Sequence, residues 1–191
     1  MGDLAELAVK YRDRFPGKIE VLPEFRGETS WRVDRSVLPE VMKALKEEDG
    51  FDFLVDLSSV DNFGEDPRFE IVYELFSYAN RRQLRIKTQV SEEDEGVPSV
   101  TGVWRTANWH EREVYDMMGI RFLGHPDLRR ILMWDGYPFH PLRKDFPLEG
   151  KETELPDIAF TRPAPLEGGP FVTAPAELTL DREPRARPPE I

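Results

Sequence analysis

The chain has 191 residues, 39 % hydrophobic and 33 % charged, a balance typical of a folded, polar protein of one domain with appendages. Its net charge of −11 argues against a general nucleic-acid binder, and the absence of cysteine excludes disulfides, thiol catalysis and cysteine-ligated zinc or iron–sulfur centres. No apolar run approaches the ~20 residues of a membrane span, the acidic N-terminus lacks signal-peptide character, and no glycine-rich nucleotide cradle is present.

The first fifty residues predict two helices and two short strands. Apolar residues recur at helical spacing in residues 1–14, which predicts an amphipathic helix, and short alternating stretches near residues 19–21 and 29–33 predict strands. Ser36 is the expected N-cap of a second helix, with Pro39 in its first turn. The predicted buried face of that helix consists of Val37, Val41, Met42 and Leu45.

Three stretches of alternating apolar and polar residues follow. The predicted inward-facing residues are Phe51, Phe53, Val55 and Leu57, then Phe69, Ile71, Tyr73 and Leu75, then Leu84, Ile86, Thr88 and Val90. The connectors, residues 61–64 and 78–81, are short enough for hairpins, so we expect an antiparallel meander. One face is apolar throughout, which predicts an α+β fold: an antiparallel or mixed sheet of about four or five strands with helices packed on one face.

An acidic loop, residues 91–98 with a solvated tip, should lead into a third helix over residues 101–118. We expect one face of this helix to pack on the sheet, and Gly119 suits the left-handed position that ends it. That face is formed by Val103, Ala107, His110, Val114 and Met117, and the charged residues of the helix should point elsewhere. An extended piece, a turn at Gly124-His125-Pro126 and a second apolar stretch at 129–133 follow.

The charges of this region have two interpretations. They can form a solvated helix face with local pairs such as Arg112 and Asp116, each contributing a few tenths of a kcal/mol. Alternatively, they form buried salt bridges within the domain or with a partner, a role that suits the planar guanidinium of arginine. Spacing alone leaves both open.

Metal binding and acid–base catalysis are weaker interpretations of the same residues. His110-Glu111 begins the H-E-x-x-H zinc pattern, but position 114 is Val, so we expect a hydrogen-bonded core histidine instead. His125, before Pro126, is expected to hold a turn. Glu111, Glu113 and Asp116 could be general acids or bases, but no nucleophile motif or phosphate loop accompanies them.

A resemblance to a known family is more informative about this region than the spacing of its residues. The string Glu111-Arg112-Glu113-x-x-Asp116-Met117-Met118, six residues, then His125-x-x-x-Arg129-x-Ile131-Leu132 resembles the signature of one family, the 30-kDa subunit of the proton-pumping NADH–quinone oxidoreductase, respiratory complex I. Residues 141–148 resemble the next block of the same family. The similarity is strong over residues 51–148 and only general over the first fifty.

The resemblance implies a non-redox core subunit of the hydrophilic arm. It would pack against the large 49-kDa-type subunit and other hydrophilic-arm subunits, peripherally, on the cytoplasmic face of the bacterial inner membrane. The whole complex would pass electrons from NADH to quinone and pump protons, with FMN, iron–sulfur clusters and quinone in partner subunits. The chain itself would have no catalytic residue, cofactor or metal, and no activity in isolation.

The residues that we expect to bind partners or to form framework salt bridges are charged residues of this region and one histidine. They are Glu111, Arg112, Glu113, Asp116, His125, Arg129, Arg143, Lys144 and Asp145. An equivalent role in a related membrane hydrogenase or F420-linked quinone or phenazine oxidoreductase is one alternative. A standalone soluble hydrolase or transferase is another.

The character of the chain changes after Leu148. Eleven of the seventeen prolines lie between Pro138 and Pro189, which disfavours long regular elements, yet sparse apolar residues persist. We therefore predict two parts: a core domain, residues 1–148, and an extended proline-rich arm, residues 149–191, that lies along a partner. A flexible tail is the alternative.

Overall fold

A mixed five-stranded sheet forms the centre of the protein. The structure, a computed structural model, describes residues 4–148 and 150. The strands are β1 (Ile19–Val21), β2 (Ser30–Val33), β3 (Phe53–Asp61), β4 (Phe69–Ser77) and β5 (Arg82–Val90), in the spatial order β1-β2-β5-β4-β3. β2 and β5 run parallel and the other neighbours antiparallel, so the predicted α+β fold with a mixed sheet is confirmed.

The meander of β3, β4 and β5 follows the predicted alternation in two of its three strands. In β4 and β5 the inward-facing residues, such as Ile71, Tyr73, Leu84 and Ile86, are fully buried. β3 differs, because a register shift between Leu54 and Asp56 places an extra residue in the strand.

This bulge reverses the predicted inward face at the start of β3. Leu54 and Leu57 are buried in the core, whereas Phe53 and Val55, predicted to be inward, are exposed. The strand also continues to Asp61, so the connection to β4 begins later than the alternation suggested.

Two helices from the first half of the chain contribute to the core. In α1 (Leu4–Arg14), Leu7, Ala8 and Tyr11 are buried. α2 (Leu38–Glu47) has Pro39 in its first turn, as predicted, but the expected cap is wrong. Val37 occupies the N-cap position, and the Ser36 hydroxyl donates instead to Asp34 Oδ1 at 2.6 Å.

The third helix, α3 (Ala107–Met118), is shorter than predicted. Residues 101–106 form turns, in which the N–H groups of Val103 and Trp104 both bond to Val100 O. Gly119 ends α3 in the left-handed conformation, as predicted, with φ of 78°. A Cβ at Gly119 would lie 2.6 Å from His140 Nε2, so the position requires glycine for space as well as for conformation.

A small two-stranded parallel sheet accompanies α3. It joins β6 (Val97–Pro98) to β7 (Phe122–Leu123), so the loop before α3 is connected to the segment after it. The predicted solvated tip of the acidic loop is partly wrong, because Gly96 is buried and Asp94 pairs with Arg35.

Residues up to Asp145 form one compact unit, and a second begins at Phe146. Of the predicted arm, only Gly150 is among the described residues. Within the part of the chain that the structure describes, none of the helices has the length and apolar character that crossing a membrane demands.

Candidate functional site

Asp116, near the end of α3, is fully buried, and its carboxylate binds the backbone of a later loop. One oxygen, Oδ2, accepts hydrogen bonds from the N–H groups of Ile131, Leu132 and Met133 at 3.0, 2.7 and 2.9 Å. Three consecutive amides converge on one oxygen, so the loop is fixed to the helix through its own backbone. We call Asp116, these three residues and Arg130 the carboxylate cage.

Arg130 completes the cage on the second oxygen. Its Nη1 lies 2.6 Å from Asp116 Oδ1 and also donates to Asp116 O, while Nη2 donates to Phe139 O at 3.1 Å. Burial by itself raises the pKa of Asp116, but the hydrogen bonds from Met133, Arg130, Leu132 and Ile131 outweigh it, so this pKa is lowered. The buried carboxylate is therefore ionised and compensated.

Arg112, one helical turn before Asp116, also binds this loop, but as a hydrogen-bond donor to its carbonyl groups. Its Nε donates to Arg129 O at 3.1 Å and its Nη2 to Arg130 O at 3.2 Å. The guanidinium also lies over the Trp109 ring, 5.2 Å from its centroid. α3 thus supplies an acceptor for the loop amides and a donor for the loop carbonyls.

Glu111, on another side of α3, is buried without a cation. Its Oε1 accepts a hydrogen bond from Val100 N–H at 2.7 Å, whereas Oε2 has no hydrogen-bond partner among the described residues. Burial raises the pKa of Glu111 to about 7, although the Ser99 hydroxyl and Val100 N–H act in the opposite direction. Glu111 and Asp116 are therefore two buried carboxyl groups whose pKa values are shifted in opposite directions.

His125 holds the turn after β7, as its sequence position suggested. Asp127 N–H donates to Nδ1 at 3.0 Å, and Nε2 lies 3.2 Å from Asn108 O. Its Nε2 is 4.0 Å from Glu111 Oε2, beyond hydrogen-bond distance.

A second ionic cluster lies at the end of β3 and the start of β4. Arg68 binds Asp61 through two bonds of 2.8 and 2.9 Å and also contacts Glu92 and Asp145. Asp61 Oδ2 further accepts the Lys144 N–H at 2.8 Å. We call Asp61, Arg68, Glu92, Asp145 and the Lys144 amide the Arg68 cluster.

Arg143 links this cluster to the end of α3. Its Nε donates to Met118 O at 2.6 Å, and its Nη1 bonds to Glu92 Oε1 at 3.0 Å. Nearby, the Nδ1 of His140 bonds to Asp116 O at 3.1 Å, and burial lowers the pKa of His140. Residues 140–143 are consequently fixed to the end of α3 by hydrogen bonds to the Asp116, Met117 and Met118 carbonyls, which the helix leaves free.

The sequence-predicted residues fall into two groups in space. Glu111, Arg112, Asp116, His125, Arg143 and Asp145 make the contacts inside the chain described above. Glu113, Arg129 and Lys144 have exposed side chains. The Arg129 side chain pairs with its near neighbour Asp127, at 2.9 Å.

Sequence reasoning missed Arg130, Asp61 and Arg68. Arg130 lies beside Arg129, and the spacing does not tell which of the two turns inward. The alternation places Asp61 in a connector, although a carboxylate at a strand end followed seven residues later by Arg68 is a signal for a pair across the hairpin. The helical spacing directs Glu111 away from the apolar face of α3, but this residue is fully buried.

The three histidines lie in separate places. His110, predicted to be a core histidine, is only half-buried, with Nδ1 3.4 Å from Asp56 Oδ1, so that prediction is wrong. Across residues 4–148 and 150, no group of three His, Cys, Asp or Glu side chains could hold a metal ion.

Exposed apolar side chains accompany the cage. Trp109 is 63 % exposed and Leu132 61 %. The Leu132 amide is held by Asp116, and the Trp109 ring rests on Arg112, so both side chains are presented from a fixed backbone. Rigid aromatic and aliphatic groups of this kind are typical of protein–protein contacts.

Comparison with known proteins places these features in a family. The model of the family described as respiratory-chain NADH dehydrogenase, 30 Kd subunit, matches residues 31–152. The C subunit of NADH-quinone oxidoreductase from Geotalea uraniireducens (strain Rf4) is 47 % identical over 157 residues, covering 81 % of this chain and 96 % of the relative. The corresponding C 2 subunit from Rhizobium etli (strain CIAT 652) is 49 % identical over 157 residues, covering 81 % and 83 %.

Two solved structures share the architecture. A trypsin-resistant fragment of Nqo5 is 33 % identical, with a TM-score of 0.58, covering 65 % of this chain and 98 % of the fragment. A chain of the membrane-bound sulfane sulfur reductase, an archaeal respiratory membrane complex, has a TM-score of 0.62 at 22 % identity, covering 76 % and 86 %. The second likeness shows a shared fold alone.

Proposed function

The chain belongs to the 30-kDa subunit family of respiratory-chain NADH dehydrogenase, and we propose that it serves this enzyme as a structural subunit. Its task is to present a rigid surface to neighbouring subunits, without a redox group of its own. The absence of cysteine supports this role, because iron–sulfur clusters are commonly held by cysteine thiolates.

The carboxylate cage is the observation that carries the proposal. A buried carboxylate with four hydrogen bonds to one loop gives that loop a single conformation. Nothing in the cage resembles a nucleophile with its base, so these strong contacts serve geometry rather than chemistry. The loop and α3 thus form a preorganised docking element, which reduces the entropic cost of binding.

The partner that we propose is the large 49-kDa-type subunit, together with other subunits of the hydrophilic arm. Trp109 and Leu132 would supply the apolar centre of the contact, and the exposed Glu113, Arg129 and Lys144 its charged rim. Arg112, Asp116, His125 and Arg143 would act as framework residues that hold this surface.

The remaining assignments concern the whole complex. It would carry electrons from NADH through FMN and iron–sulfur clusters in partner subunits to quinone, and couple this to proton translocation. The present chain would lie peripherally on the cytoplasmic face of the bacterial inner membrane and show no activity alone. The segment from residue 149 would be an extended arm along a partner, with Leu155, Ile158, Phe160, Leu166, Phe171 and Val172 as anchors.

Replacing Trp109 by alanine in the full chain tests the docking surface. We expect the variant to fold normally but to reduce the amount of assembled complex severalfold, because an interface aromatic contributes about 2 kcal/mol or more. Phe25→Ala is the matched control, since Phe25 is 65 % exposed and lies on the β1–β2 hairpin.

The measurement is complex abundance on native gels from cells lacking the wild-type gene, with NADH–quinone activity normalised to assembled complex. Normal abundance of the Trp109→Ala complex with lost turnover would contradict the structural role.

A further inference from the structure

Glu111 differs from Asp61 and Asp116, two other buried acids, because one of its oxygens receives no hydrogen bond from the described residues. Its side chain is completely buried, and Oε1 alone receives the Val100 N–H. A buried ionised carboxylate normally has each oxygen compensated by donors or a cation, as Asp61 and Asp116 have here. A buried carboxylate oxygen without a hydrogen bond costs free energy, whereas the OH group of a neutral carboxylic acid can itself donate a hydrogen bond.

His125 is a basic side chain near the unbonded oxygen of Glu111, but both of its ring nitrogens are engaged with backbone groups. The Asp127 N–H donates to Nδ1 at 3.0 Å, and Nε2 faces Asn108 O, an acceptor, at 3.2 Å. Nε2 lies 4.0 Å from Glu111 Oε2, beyond hydrogen-bond distance, so His125 gives this oxygen no hydrogen bond.

The groups that face Glu111 from the sheet and from the loop before α3 are uncharged. Tyr73, from β4, is fully buried with a hydroxyl that has no hydrogen-bond partner among the described residues, and burial raises the pKa of Tyr73. From the loop before α3 come the Val100 N–H and the Ser99 hydroxyl. On α3 itself, the charged groups of Arg112 and Asp116 are engaged with the 129–133 loop.

We propose that Glu111 is an internal proton-binding site: in the folded protein its carboxyl is a neutral acid with the proton on Oε2, the buried oxygen that lies 4.0 Å from His125 Nε2. Releasing that proton leaves an uncompensated charge in the core. The packing of α3 on the sheet is therefore linked to a proton, independently of the proposed subunit role.

Infrared spectroscopy of the purified full chain tests the protonation state directly. At about pH 6 exposed carboxyl groups are ionised, so the carbonyl stretching band of a protonated acid should come from Glu111. We expect this band in the wild type and in Glu113→Gln, a control on the exposed side of the same helix, and its absence in Glu111→Gln. A wild-type spectrum without a protonated-acid band at this pH would overturn the proposal.

Stability provides the second readout. Because a carboxyl with a raised pKa stabilises the fold below its unfolded pKa of about 4.3, this contribution is lost as pH rises through about 7. Relative to Glu111→Gln, whose amide mimics the neutral acid, the folding equilibrium constant of the wild type should fall on the order of 10²-fold across that interval. A stability difference between the wild type and Glu111→Gln that is the same at every pH, measured by urea unfolding, would overturn the proposal. Glu113→Gln should show the same pH dependence of stability as the wild type.

Discussion

The carboxylate of Asp116 and the guanidinium of Arg130 meet 2.6 Å apart, joining the last turn of α3 to a loop fourteen residues later in the chain. Asp116 has no exposure and the Arg130 side chain only 13 %, so the pair is shielded from water. Such a pair contributes little when complete but is costly to break, because the remaining charge is left without compensation. The neighbouring pair Arg129–Asp127 lies in solvent and has no such consequence.

Arg130→Ala should therefore destabilise the full chain by about 3–5 kcal/mol, because it leaves the Asp116 carboxylate buried without its cation. Arg129→Ala, the matched control in the adjacent position, should cost about 0–1 kcal/mol. Urea unfolding monitored by tryptophan fluorescence measures both. Equal losses in the two variants would show that the buried pair is not the source of rigidity.

Gly119→Ala should destabilise the fold by more than ~1 kcal/mol. An alanine in the left-handed conformation is strained by about that amount, and its Cβ would also displace the His140 ring or the Arg143 guanidinium. Gly102→Ala is the control, since a Cβ there meets nothing within 4 Å and its φ is not in the left-handed region. Gly102→Ala should leave the thermal midpoint unchanged or slightly raised, and a comparable drop in both variants would contradict this account.

The Arg68 cluster should make the protein sensitive to acid. Arg68 is the main cause that lowers the pKa of Asp61, so the stabilisation is present above the unfolded pKa of about 3.9 and disappears as pH falls through the lower folded value. Asp61→Asn should lose stability at neutral pH and show a shallower decline below about pH 4. The measurement is a series of urea-unfolding curves at stepwise lower pH. If the stability of Asp61→Asn declined below about pH 4 as steeply as that of the wild type, Asp61 would not be the source of the acid sensitivity.

Arg143→Ala should lower the amount of assembled complex without abolishing turnover in the complexes that form. Arg143 binds Met118 O and Glu92, so its loss loosens the support of residues 140–143, not a reaction centre. Lys43→Ala is a useful control because its side chain is exposed on α2, outside the proposed docking surface. Quantifying assembled complex and its specific activity separates the two effects.

Alternation in β4 and β5, helical spacing in α1 and the glycine after α3 could be recognised without coordinates. Each is a local property, because the period of a strand or helix sets which neighbouring side chains share a face. The family resemblance likewise rests on a contiguous string of residues. These patterns were sufficient for the fold class and for locating the important region.

Only the tertiary structure decided which side chains of each segment point inward and which face solvent. A bulge in β3 turned Phe53 and Val55 outward, and the loop path turned Arg130 inward while leaving Arg129 in solvent. Glu111 and Asp116 are both fully buried on one helix, yet their pKa values shift in opposite directions, because four donors bind the Asp116 carboxylate whereas one Glu111 oxygen has no hydrogen-bond partner among the described residues. Protonation and ion pairing depend on groups brought together from distant parts of the chain, and sequence spacing carries no such information.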